Sequence, residues 1–568
     1  MDADLLIRGG LVADGSGGEP IEADVAVKGG KIVSLGRLGA CSAAEEIDAR
    51  GLLVTPGFVD IHTHYDGHVT WAERLEPSSA HGVTTVLMGN CGVGFAPCRA
   101  EDRDCLIRLM EGVEDLPGPV LHEGLKWNWA TFPQYLDFLD GRRFDMDVAT
   151  QVPHAPLRVF VMGERGARRE AAGADDIVRM ARLAREAVEA GAIGFSTSRT
   201  IAHKSSDGEN IPTLTASAAE LTAIAREIGK AGRGVIEAIS DFDDLDAEFD
   251  MMRAMGEQSG RPISLSLMQR ESDPRRWRRL LDRIEQASNE GVEMRGQVCG
   301  RPIGLLLGFH LSRNPFENCP TWRDHLADLS DQRRLALLRD TGIRDRLIEE
   351  AGAGVDTIRP FAKLFPMVEP LDYEPGSESS IASLAADRGI SAAEQAYDLL
   401  MAMDGRGILY APMSNYADGN LDAALEMMKS DDTILGLGDG GAHCGLICDA
   451  SFPTYMLSHW GRDRRGERLP IGRIVRALTM DTSDAVGLGD RGRLVVGGKA
   501  DINVIDMDSL KLKAPEMSWD LPAGGGRLNQ KADGYVATLV SGTITYRHGE
   551  ATGALPGRLV RGPVGSPR

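Results

Sequence analysis

This chain has no excess of basic residues. Its 568 residues carry 63 Lys and Arg against 84 Asp and Glu, a net charge of −21. A nucleic-acid or anionic-membrane binder needs a positive face, so neither partner is expected. Long apolar runs are missing too: nothing approaches the roughly 18 residues of a membrane span. Met1-Asp2-Ala3-Asp4 lacks the basic start of a secretory signal, and a cytoplasmic location is the expectation. The cysteines (Cys41, Cys91, Cys98, Cys105, Cys299, Cys319, Cys444, Cys448) form no CxxC pair and no disulfide-framework spacing. Most are expected to be buried thiols. No repeat or low-complexity tract occurs. What is present is an ordinary soluble composition, 42% hydrophobic and 26% charged. The chain is long enough for a barrel of about 250–400 residues plus a smaller domain.

Both ends alternate short apolar strands with glycine turns, as in Leu5-Leu6-Ile7-Arg8-Gly9-Gly10 and Asp24-Val25-Ala26-Val27-Lys28-Gly29-Gly30. The texture returns over 500–506 and 536–544. Two β-rich ends predict one small β-sandwich domain assembled from residues 1–55 and 489–568. Over 56–488, apolar strand-like runs alternate with helical stretches, which implies α/β structure with a parallel sheet. The candidate strands are 58–62, 84–88, 148–152, 192–196, 235–239, 263–267, 292–298 and 433–437. Eight is the number of a (β/α)8 TIM-like barrel. Helices fit between several of them, such as 175–190, with Ile177, Met180, Ala181 and Leu183 as its apolar stripe. The stretch 299–408 is too long for one βα connection and is expected to hold an insertion.

The run Pro56-Gly57-Phe58-Val59-Asp60-Ile61-His62-Thr63-His64 reads as a buried strand ending in two histidines. Residues i and i+2 share a face, so His62 and His64 reach one point, with Asp60 on the same side. Imidazoles held so form a transition-metal site. Alone, an HxH pair is more often surface or core; the Pro-Gly turn and the apolar lead-in favour the metal. Barrel sites lie at the C-terminal ends of strands, which directs attention to the residues just beyond each candidate. Strand two yields Cys91 within Gly89-Asn90-Cys91-Gly92, a metal-ligating thiolate or a small buried filler. Strand three yields His154, a carbonyl polariser or a structural hydrogen-bonding residue. Strand eight yields Asp439 within Gly438-Asp439-Gly440-Gly441-Ala442-His443. A metal ligand that also handles protons is preferred there over a helix cap; His443 is a weaker pocket candidate. Arg270 and Arg301 are candidate clamps for a substrate carboxylate, or ion-pair members. The loops 162–166 and 198–204 are expected to border the pocket.

Together these segments resemble the amidohydrolase superfamily, and within it the N-acyl-D-amino-acid deacylase (D-aminoacylase) group. The resemblance extends through Gly82-Val83-Thr84-Thr85-Val86, Asp490-Arg491-Gly492-Arg493-Leu494 and Gly497-Gly498-Lys499-Ala500-Asp501, covering residue 5 to about 506. It implies a metal-bearing barrel, a small β domain built from both ends, and amide hydrolysis with a cysteine beside the metal. One departure stands out. The group carries metal-binding histidines after strands five and six, where this chain has Val235-Ile236-Glu237-Ala238-Ile239-Ser240 and Ile263-Ser264-Leu265-Ser266-Leu267-Met268-Gln269. Glu237 substitutes for one of them, lines the substrate pocket or is a core ion-pair member. The expectation is one divalent metal per chain, zinc best suited to the donors, held by His62, His64 and Asp439 with Cys91. A metal-activated hydroxide then attacks a small-molecule amide, with Asp439 as general acid/base and His154 at the oxyanion. Two other readings stand beside it: a hydrolase of cyclic or non-amino-acid amides, and a non-catalytic binding barrel. A homo-oligomer is left open.

Overall fold

Strands from the two chain ends pair into one nine-stranded sheet. The N-terminal side contributes Asp2–Val12, Ile21–Lys28, Lys31–Gly36, Ser42–Asp48 and Leu53–Pro56. The C-terminal side contributes Ile502–Ile505, Tyr535–Val540, Thr543–Arg547 and Glu550–Ala551. They meet where Leu53–Pro56 runs antiparallel to Ile502–Ile505, Val54 opposite Val504. Alternation sends Leu5, Ile7, Val25, Val27 and Leu539 into one apolar cluster and Leu6 and Ala26 into a second. The hairpin at Gly29-Gly30 has φ of +58° and +76°, the left-handed conformation that glycine adopts without strain. This computed structural model describes residues 2–563 and 565, apart from 40 and 356.

Between the ends, eight parallel runs follow in chain order: Phe58–Asp60, Val83–Met88, Asp147–Thr150 continued by Val152–Pro153, Gly194–Arg199, Val235–Ser240, Ile263–Ser266, Met294–Val298 and Thr433–Leu435. Each pairs with the next: Val86 with Val148, Val152 with Phe195, Leu265 with Gly296. The interruption at Gln151 divides them into a three-stranded and a six-stranded sheet. The last run returns to the first. Thr63 bridges Gly440 in parallel, and the His64 N–H donates to the Gly440 carbonyl at 2.8 Å. These runs fall on the eight candidate strands, within a few residues at each end.

Helices Ala174–Ala190, Ala218–Lys230, Leu245–Ser259 and Arg276–Asn289 fill the connections. The stripe Leu221, Ile224, Ala225 and Ile228 joins Phe195, Ile236 and Leu265 in the largest core. Ser217 caps that helix by accepting the Glu220 N–H at 3.2 Å. The expected insertion has a sheet of its own, Ile303–Leu307 and Phe365–Pro366 pairing antiparallel with Leu409–Ser414. Phe309, Phe316, Trp322, Leu347 and Tyr397 form its separate core. Among the described residues no helix is long and apolar enough to cross a membrane.

Candidate metal centre

His62 and His64 project from one side of the chain that leaves the first strand, their rings 5.5 Å apart. His62 Nε2 lies 3.3 Å from Cys91 Sγ and 3.4 Å from Asp439 Oδ1. His64 Nε2 lies 3.6 Å from the same carboxylate oxygen. One ligand atom each from His62, His64 and Cys91 falls within 4.8 Å of the others. The backbone is bent to achieve this: Cys91 has φ +53° and Asp439 φ +48°, sparsely populated conformations for non-glycine residues. Glycines let the chain pass closely here. A Cβ on Gly441 would meet Tyr65 Cδ1 at 2.7 Å.

Neighbouring side chains orient the rings. His62 Nδ1 is 2.8 Å from Gln297 Oε1, and the Gln297 amide donates to Ser264 Oγ at 2.8 Å. His64 Nδ1 faces Glu114 Oε1 at 3.4 Å. The Gln297 bond fixes which nitrogen of His62 is presented to the centre, whereas His64 Nδ1 makes no hydrogen bond among the described residues. The sequence reading missed both Gln297 and Glu114. Glu114 closes the helix Arg103–Glu114 on its buried stripe with Leu106, Met110 and Val113, and a carboxylate among such residues is the signal that marks it. Glu237, on the fifth strand, accepts the Cys91 N–H through Oε2 at 2.9 Å. Its Oε1 is buried with no hydrogen-bond partner among the described residues, as is Asp60 Oδ2.

The electrostatics are those of a site with more buried acids than basic partners. Burial lowers His64 to about 4, which keeps it neutral, the form that ligates metals. Burial raises Asp60 and Glu237 each to about 7. Glu114 is pushed well above the carboxylate range by burial and then by Asp439, Asp66 and Glu237. The Cys91 thiol is raised by burial and by Glu237, Glu114 and Asp439. Asp439 differs: burial works against its charge, yet His64 and His62 hold it below the ordinary carboxylate range. Among the described residues no lysine or arginine pairs with Asp60, Glu114, Glu237 or Asp439. Nitrogen, sulfur and oxygen donors around this surplus of acids fit a divalent ion of the zinc type.

Several expected site residues lie elsewhere. His154 is not free to polarise a carbonyl, because both ring nitrogens are engaged. Nδ1 is 2.9 Å from Thr197 Oγ1 and Nε2 3.0 Å from Glu220 Oε1; Glu220 also accepts Arg158 Nε at 2.9 Å. Arg301 is a buried tie rather than a substrate clamp. It donates to Asp449 Oδ1, Ser451 Oγ and the Cys448 carbonyl, and its guanidinium lies 4.2 Å from the Tyr373 ring centre. Arg270 pairs with Asp241 at 2.8 Å while keeping 30% of its side chain exposed. Asp241 in turn accepts from Thr200 Oγ1 and the Ile201 N–H, which anchors the loop 198–204 beside Arg270. His443 sits beside the centre, its Nε2 3.6 Å from Glu114 Oε2.

Comparison with known proteins places the chain in a family. Residues 45–546 match the amidohydrolase family. The N-acyl-D-glutamate deacylase of Alcaligenes xylosoxydans xylosoxydans is 27% identical over 564 residues, spanning 98% of this chain and 96% of the relative. The D-aminoacylase of the same organism is 26% identical over 563 residues, with 98% and 97% covered. A solved structure of N-acyl-D-glutamate deacylase from Bordetella bronchiseptica, complexed with zinc and a phosphonate inhibitor, is similar in fold. The TM-score is 0.63 at 23% identity, over 99% of this chain and 100% of that one.

Proposed function

The chain belongs to the amidohydrolase family, and from that premise we propose that it is a metal-dependent amide hydrolase of N-acyl-D-amino acids. The observation that carries the proposal is the convergence of His62, His64, Cys91 and Asp439 amid carboxylates that no lysine or arginine neutralises. In this reading the eight parallel runs close as a (β/α)8 barrel over 56–488. The terminal sheet is the small β-sandwich domain, made of residues 1–55 and 489–568.

His62, His64 and Asp439, with Cys91, hold one divalent ion, and zinc suits the donors best. Glu237 stands on the strand where a histidine was expected and supplies a further oxygen. A bound ion of this kind polarises the amide carbonyl and makes water acidic enough to attack near neutral pH. Gln297 keeps the His62 imidazole in place, and Glu114 faces that of His64. Asp439, held ionised, accepts the proton of the attacking water and delivers it to the leaving nitrogen. Arg270, partly exposed at its loop, meets the substrate carboxylate. Relatives that act on N-acyl-D-glutamate support the substrate class.

The lack of histidine on strands five and six favours a second reading, hydrolysis of a cyclic or non-amino-acid amide. A panel of N-acetyl-D- and L-amino acids, cyclic imides and aryl amides, assayed with and without chelator, decides between them. Chelator-sensitive turnover of the D-amino-acid derivatives is expected. Turnover confined to imides or aryl amides selects the second reading. No turnover by metal-replete protein leaves a binding barrel.

A further inference from the structure

His68 follows the metal centre by four residues and opens the short helix His68–Trp71. Its ring packs against Tyr65 and Trp71, with centroids 5.6 and 5.0 Å away. Both ring nitrogens are buried, and neither has a hydrogen-bond partner among the described residues. Packing alone does not call for an imidazole here, since a leucine would fill the space without burying two unpaired polar atoms.

Two cavities meet at this ring. The inner one, of about 20 Å³, is bounded by His68, Asp439, Gly440, Asp449 and Arg527. That is room for a single water, which needs two to four polar partners. Asp449 Oδ2 is a further buried atom with no partner, although Oδ1 of the same carboxylate holds Arg301. His68 and Asp449, the residues that carry these three unpaired polar atoms, both line the water-sized space that reaches Asp439. The outer cavity, of about 380 Å³, is bounded by His68, Trp71, Arg74, Asp520 and Arg527. His68, Glu76 and Arg527 line both. Asp520 pins Arg527 through two hydrogen bonds of 2.9 and 2.7 Å, whereas the His68 ring has no hydrogen bond to hold it among the described residues.

We propose that His68 passes water between the outer cavity and Asp439, as a rear passage one molecule wide. The chemistry consumes one water per turnover. Each turnover breaks the amide C–N bond and forms a C–O bond; the water's oxygen ends in the new carboxylate and one of its protons on the departing nitrogen. The inference rests on the reading of Asp439 as the acid/base, and it makes His68 a positioning residue for water.

The test compares His68→Leu, which removes both nitrogens, with His68→Gln, which keeps a side chain able to bond water. In His68→Leu, kcat falls roughly 10- to 100-fold while KM and metal content hold. Its Tm stays level or rises, because no protein hydrogen bond is lost. His68→Gln retains kcat within about threefold. Ala450→Val, which narrows the inner cavity from another wall, lowers kcat in the same way and supplies the answer if His68→Leu folds poorly. An unchanged kcat in folded His68→Leu overturns the passage, and so does an equal loss in the Leu and Gln variants. Asp439→Asn separates the two claims: if it stays active, the acid/base reading fails; if it is inactive while His68→Leu is normal, only the passage fails.

Discussion

Two buried groups of histidine and carboxylate stand at strand ends in this molecule, and they are built on opposite principles. Around His154 every polar atom is matched: Thr197 and Glu220 take the ring nitrogens, and Arg158 balances Glu220. Around His62 and His64 the acids outnumber the cations. Asp439, Glu114, Glu237 and Asp60 crowd two imidazoles and a thiol, and two carboxylate oxygens bond nothing. Burying a charge is costly unless it is paired. The first group is complete within the chain, whereas the second leaves buried polar atoms unpaired. Unmatched atoms, more than the presence of histidine, separate a working site from a structural tie.

The contrast is broken most strongly at Asp439. Asp439→Asn should lower kcat by roughly 1000-fold or more while elemental analysis still finds the metal; undiminished turnover would remove it as acid/base. Glu220→Gln strikes the matched group instead. It should cost about 3–5 kcal/mol of stability in urea titrations and leave kcat of the folded enzyme intact. A stable variant with reduced kcat would return His154 to the catalytic groups.

A second matched group extends the comparison to pH. Glu374 binds His459 Nε2 at 2.8 Å and Arg464 at 2.8 and 3.0 Å. Burial pushes its carboxyl up, but His459, Arg464 and the Leu421 N–H bring it down to about 2 from an ordinary 4.5. A depressed carboxylate stabilises the fold fully above its unfolded pKa, and that contribution is lost as pH falls through the folded value. On the order of 3 kcal/mol should therefore disappear between pH 5 and pH 2. Glu374→Gln should flatten this part of the Tm–pH curve; parallel curves for variant and wild type would refute the assignment. The smallest effect is expected at Glu237. Glu237→Gln should weaken metal binding roughly 10- to 100-fold in competition with a chelator, and an unaltered Kd would exclude it from the site.

Much of the architecture is legible in the chain because strands of a parallel sheet are covered on both faces and read as apolar runs. The eight runs were visible for that reason, and so were the glycine hairpins of the two ends. His62, His64, Cys91 and Asp439 were legible because each follows such a run at once. Glu114 and Gln297 were not, since nothing local connects a helix-end glutamate or a strand glutamine to histidines 50 and 235 positions away. His154 and Arg301 show the converse. A residue just past a strand can turn to the centre or to the surrounding helices, and the capped helix bearing Glu220 drew His154 outward.

The sequence by itself determined the strand-helix alternation, the joining of the two ends in one sheet, and the candidate metal-binding residues, because periodicity and the positions just past strands are local properties. Only the tertiary structure decided which polar atoms are matched. It tied His154 to Glu220, set Glu237 against Cys91, and left His68 unpaired between two cavities. A buried atom's hydrogen bonds depend on what packs against it from distant parts of the chain, and no local pattern carries that information.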